Sequence, residues 1–305
     1  MANPHTADTP HWEAAFEHYY RDDVLRAFAD IEQFGIGDGG ELLRWYRVME
    51  AEAITRRRSK VISVTDWLTL EYVPCETIGL EQILASRALE ECERAAALFG
   101  WSHDEATRLT ILAEETDAPW ATNPFGYCVA KDPYEKICLP NYLVDDPEEF
   151  GQAVAHEYAH VITSNLGEGL APRWLEEAVS VLVERRFDSD CWRRFCTGER
   201  AWLTPSRLEA VLIDRSDDDG TKDSIWAAYQ QAGWIGRYLV ECFGDQKLSL
   251  VLGELANESR STNLSRLIRG KDRTEDALMR VLKSTPAEVF DRARQWLTTI
   301  SEEAV

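Results

Sequence analysis

The chain has 305 residues, 45% of them apolar and 29% charged, and a formal net charge of −21. That composition excludes a disordered chain and supplies enough apolar material for one large domain or two small ones. The negative charge repels phosphate backbones and anionic lipid, so neither nucleic acid nor a membrane surface is expected as a partner. It is compatible with basic substrates, although solubility accounts for it without one.

The opening MANPHTADTPHWEAAFEHYYRDD has neither a basic leader nor an apolar stretch, so no secretory signal is expected. No run of roughly 18 apolar residues occurs, and the expected compartment is the cytoplasm. The seven cysteines are odd in number and lack CxxC spacing, which suits reduced, buried thiols. Trp12, Phe16, Tyr19, Tyr20, Val24, Phe28 and Ile31 recur at helical spacing over 11–34. GIGDGG (35–40) reads as a turn, and ELLRWYRVMEAEAI as a second helix. The basic run Arg56-Arg57-Arg58 complements the dipole at that helix's end.

From residue 61 the texture changes. VISVTDWLTLEYVP predicts one long strand or a bent pair, 79–99 a helix ending at Gly100, and RLTILAEE (108–115) another strand. TDAPWATNPFGYCVAKDPYE reads as a loop, and KICLP (136–140) as a third strand. Beyond it the pattern is helical to the end, with breaks near 167–172, at DRSDDDG (214–220) and at NESRSTN (257–263).

DDPEEF opens the helix that carries the chemistry. Asp146 suits its cap, Pro147 its first position and Glu149 a capping box, while Gly167 is a natural stop. On that helix His156-Glu157-Tyr158-Ala159-His160 places two imidazoles one turn apart on one face, where both can reach one cation. Glu157 lies about 100° round from His156, able to reach a water without being a ligand. A catalytic metal wants a third protein ligand and one open position. A third histidine is excluded: His5, His11, His18 and His103 are all upstream, and Thr163 and Leu166 stand where a metzincin pattern would continue. Gly167, Gly169 and Pro172 let the chain reverse, and Pro172 can begin a helix. Returning antiparallel across the first, that helix would present Glu177 to the histidine pair.

HEYAH followed by Pro172-Arg173-Trp174-Leu175-Glu176-Glu177-Ala178 resembles the gluzincin metallopeptidases, whose pattern is HExxH and then W-L-x-E-G-x-A. The resemblance is to the compact peptidase MA-like branch, related to thermolysin-like and aminopeptidase-N-like enzymes. It puts the ligand on Glu177, with Ala178 and Ser180 replacing the glycine and alanine that follow. It extends over about 61–300, since DSIWAAYQQAGWIGRYLVECFGDQKL (223–248) is similar to that branch's later aromatic segment.

The resemblance implies an α+β zincin-like fold: a small mixed β-sheet, an active-site helix and a mainly helical C-terminal lobe. The corresponding parts are a helical segment 1–60, an α/β part 61–167, and a helical part 168–305 carrying the third ligand, with the site in the cleft between lobes. One zinc ion on His156, His160 and Glu177 would activate water, with Glu157 as general base. Tyr229 would stabilise the oxyanion, with Tyr238 behind it as a candidate. Ile137, Cys138 and Leu139 would form the edge strand along which an extended peptide or protein substrate lies. The G-x-M-E-N segment of aminopeptidase-N-like enzymes has no counterpart, which weakens an aminopeptidase reading. Two alternatives remain: an inactive scaffold that binds peptides, and a hydrolase of a non-peptide bond. No oligomeric state follows from the sequence.

Overall fold

The computed structural model describes residues 10–34, 40–74, 79–103, 106–113, 126–131, 134–214, 222–260 and 273–300. Residues 35–39 of the turn expected at 35–40, 116–125 of the expected loop, 215–220 of the acidic break at 214–220 and 261–263 of the break at 257–263 lie outside them. The protein is α+β, with a five-stranded mixed sheet. By its contacts the chain divides into two compact units, Met1–Leu89 with His103–Phe150, and Glu90–Ser102 with Gly151–Val305. These ends differ from the boundaries drawn at 60 and 167.

In the first unit, the helical periodicity of 11–34 resolves into two helices, α1 (Pro10–Tyr20) and α2 (Val24–Phe34), rather than one. The break is at Asp22, which takes a left-handed φ of 64°, after which the Asp23 carbonyl accepts from Ala27 N at 2.9 Å. The third helix, α3 (Gly40–Arg56), ends at Arg56, which pairs with Asp22 and lies 3.1 Å from Glu71. That ion pair holds the break in place.

The sheet runs β1 (Lys60–Ser63), β2 (Leu68–Tyr72), β3 (Thr107–Ile111), β5 (Tyr134–Leu139), β4 (Tyr127–Lys131). β1 and β2 form the bent antiparallel pair, while β2, β3 and β5 run parallel. A parallel neighbour needs a crossover, and α4 (Leu80–Phe99) supplies it between β2 and β3. Two expectations are corrected here. The stretch read as a loop contains β4, because a short edge strand among Pro, Asn and Asp residues shows little periodicity. KICLP, in turn, is not an edge. Ile137 and Cys138 pair with Leu109 and Thr110 on one side and with Cys128 and Tyr127 on the other. Leu139 pairs with Ile111, and its carbonyl accepts from Leu112 N at 2.9 Å. Their ladder groups are spent within the sheet and their side chains are buried, so Ile137, Cys138 and Leu139 form no substrate strand.

The N-terminal helices share one core with the sheet, in which Tyr19, Phe28, Ile31 and Met49 cluster with Leu112 and Cys138. Residues one turn apart on α3 tie them further. Glu52 is fully buried and accepts from Tyr19, Tyr127 and Lys136, the last at 2.7 Å, while Thr55 Oγ1 accepts from Ala113 N at 2.9 Å. Among the described residues Cys92, Cys138 and Cys191 are buried thiols, Cys128 and Cys196 are half-buried thiols, and Cys242 is an exposed thiol.

The second unit is helical. It holds most of α5 (Pro147–Leu166), then α6 (Arg173–Glu184), α7 (Ser189–Thr197), α8 (Pro205–Asp214), α9 (Lys222–Phe243), α10 (Asp245–Arg260), α11 (Arg273–Val281) and α12 (Pro286–Leu297). α6 and α9 pack closely at its centre. A Cβ on Gly236 would stand 2.3 Å from the Ala178 carbonyl oxygen, and one on Gly233 2.3 Å from Val181 Cγ1. The two glycines therefore set the approach of the helices. Two buried glutamines on α9 clamp the neighbouring loops. Gln230 donates to Arg186 O and accepts from Asp188 N, and Gln231 bonds both backbone groups of Leu203. Among the described residues, no helix is long and apolar enough to cross a membrane.

Alanine is the better helix former, by about 1 kcal/mol. At position 236 it would nevertheless meet backbone that no rotamer change can move. Gly236→Ala is therefore expected to lower stability by about 1–3 kcal/mol, read from urea unfolding.

Candidate metal centre

α5 is built as its sequence requires. Asp146 Oδ1 accepts from Glu148 N and Glu149 N at 2.8 and 3.2 Å, capping the helix start. At the far end Gly167 N bonds Thr163 O and Gly169 N bonds Ser164 O, with Gly169 in the left-handed region. The chain then reverses into α6. Pro172 precedes that helix as an extended cap residue rather than opening it, and it carries no capping side chain. The missing cap comes from α8, where the Glu209 carboxylate accepts from Arg173 N at 3.0 Å and Trp174 N at 2.9 Å. This satisfies two end groups of α6 and places negative charge at its positive pole.

The turn brings His156, His160 and Glu177 together, all within the second unit, with one donor atom from each lying within 4.8 Å of the others. Glu177 Oε2 lies 3.3 Å from His156 Nε2 and 3.7 Å from His160 Nε2. Bonds of about 2.0–2.1 Å from one ion at tetrahedral angles would set such donors about 3.3 Å apart. The Glu177 side chain is 0% exposed, and among the described residues neither of its oxygens has a hydrogen-bond partner. A buried carboxylate oxygen facing two imidazole nitrogens fits a divalent cation, and the His₂Glu set is one zinc uses.

Charge at the site follows from these neighbours. Burial raises the Glu177 pKa, but Arg173, His160 and His156 outweigh it and hold the carboxyl well below its usual range. Burial lowers the His156 pKa, but the carboxylates of Glu177 and Glu184 beside it drive it well above its usual value.

Two residues at the site went unread in the sequence. Glu184, buried on α6, accepts from His156 Nδ1 at 2.9 Å. That bond puts the proton on Nδ1 and leaves the Nε2 lone pair facing the cluster, where it can bind a cation. Its signal was present, since Glu184 falls two helical turns after Glu177 and so on the same face. Arg173, one turn before Glu177, places Nη2 2.6 Å from Glu177 Oε1. The capping role of Glu209 on α8 had no local signal.

Among the expected residues, Glu157 is buried on α5 between the histidines. Tyr229 on α9 is half-buried, its ring centroid 6.3 Å from that of His156. Tyr238 is not at the site. Nine residues is about half a turn off at roughly 100° per residue, so it faces the other side of α9. There it packs against Phe243 and Trp296. Compared with protein-family models, curated proteins and solved structures, the chain matches none.

Glu184→Ala removes the group that orients His156. It is expected to weaken binding of an added divalent cation at the cluster by about 10–100-fold, read by competition with a chelating dye.

Proposed function

We propose that the protein is a zinc-dependent metallopeptidase of gluzincin type, with a zincin-like arrangement of its α+β fold. The observation that carries this reading is the convergence of His156 Nε2, His160 Nε2 and Glu177 Oε2 from two helices, with Glu184 orienting the first imidazole. The W-L-x-E resemblance supports peptide bonds as the substrate class.

Zinc bound there would polarise the scissile carbonyl and lower the pKa of a water towards about 7. Glu157 would take a proton from the attacking water and then deliver it to the departing amine nitrogen. Its place one residue from His156 keeps it beside the reacting centre without joining the ligand set. The Tyr229 hydroxyl donates to the carbonyl oxygen as negative charge develops on it. Substrate recognition does not use β5, whose backbone is paired on both sides.

The first test is metal content by elemental mass spectrometry, wild type beside Glu177→Ala. Near-stoichiometric zinc in the wild type and much less in the variant is expected. A folded wild type that takes up no zinc would instead favour an inactive peptide-binding scaffold. On a peptide library, a chelator should abolish cleavage and added zinc restore it. Glu157→Gln is expected to keep its zinc and lose about 10²–10⁴-fold in kcat. Full activity in that variant would remove Glu157 as the base, and zinc without peptide cleavage would point to a non-peptide bond.

A further inference from the structure

The two oxygens of Glu177 face different partners. Oε2 is turned to both imidazoles, whereas Oε1 lies 2.6 Å from Arg173 Nη2. The other end of the same guanidinium is also held, with Nη1 2.9 Å from Glu176 Oε2. Glu176 occupies the variable position of the W-L-x-E pattern. Arg173 is itself anchored, as the first residue of α6 with its backbone N on Glu209. Its planar fork thus spans two successive carboxylates from a fixed helical position.

A carboxylate can bind a cation through one oxygen or both. Two-oxygen binding would use the position that a catalytic site must leave for water. A group that occupies Oε1 and stays in place prevents this, and the Arg173 guanidinium is placed to do so. It forms an ion pair with Oε1 at 2.6 Å, and its hydrogen bond to Glu176 keeps it from swinging away.

We propose that Arg173 is a positioning residue that confines Glu177 to one-oxygen coordination and so keeps a place at the metal open. The inference rests on the metal reading above. Its scope is this chain's own Arg173 and Glu176, which the HExxH and W-L-x-E patterns do not specify.

Cobalt(II) added to the metal-free full-length protein tests it, because visible absorption weakens markedly as coordination number rises. Wild type should give the intense bands of a four-coordinate ion. Arg173→Met keeps the aliphatic stem but frees Oε1, and its bands should weaken severalfold with cobalt still bound. Arg173→Lys, which retains a cationic donor, should recover most of the intensity. Glu176→Gln releases the far end of the guanidinium and should move the spectrum the same way to a smaller extent. It decides the matter if Arg173→Met does not fold. Wild-type spectra in both Arg173→Met and Glu176→Gln, or in Glu176→Gln alone where the other cannot be read, would overturn the role of Arg173. If the wild type itself binds no cobalt by elemental analysis, the metal reading fails instead.

Discussion

The second unit is organised around one buried negative charge. Glu177 has no exposed surface, and a carboxylate removed from water persists as an anion only where cations and donors surround it. Arg173 answers one oxygen and the histidine pair faces the other. Each of these groups needs a support of its own. Glu209 secures the helix end that carries Arg173, and Glu184 turns His156 so that its Nε2 points inward. At the other end of α6, Arg94 Nη2 donates to Val183 O at 2.6 Å, satisfying a carbonyl beside Glu184. The geometry of the centre is therefore held by contacts outside it.

Helix packing gives those contacts their precision. With Gly233 and Gly236 facing Val181 and Ala178, α9 lies against the α6 turn that follows Glu177. The same helix carries Tyr229 towards His156 and, through Gln230 and Gln231, clamps the segments before and after α7. Buried amides bonded at both ends fix loop backbone that would otherwise be free to shift. One helix thus contributes a side chain at the centre and the rigidity that keeps it there.

The first unit meets the same problem of buried carboxylates and resolves it differently. Glu52 is closed by Lys136 and two tyrosine hydroxyls, and Glu71 by Arg56, Ser59 and Thr110. Each is satisfied by fixed protein groups and joins helix to sheet. At Glu177 neither oxygen has a hydrogen-bond partner among the described residues: Oε1 meets only the Arg173 charge and Oε2 faces two imidazoles. That difference in satisfaction separates a structural carboxylate from a candidate ligand, and a count of acidic residues cannot reveal it.

Local chemistry was enough to read much of this from the sequence. HExxH spacing on a capped helix, the Gly167 to Pro172 reversal and Glu177 on the returning helix depend on helical period and turn residues, which are properties of short segments. Only tertiary structure decided the rest. Whether KICLP is an edge depends on β4 pairing beside it, and a strand of five residues between turn formers carries too little pattern to announce itself. Tyr229 and Tyr238 are equivalent aromatics in the sequence until the packing of α9 assigns one to the centre and the other to the opposite face. Glu209 acts across space at the end of α6, and Arg173 matters through which oxygen of Glu177 it occupies. Periodicity encodes which face of a helix a residue lies on, but which partner that face meets is set by long-range packing.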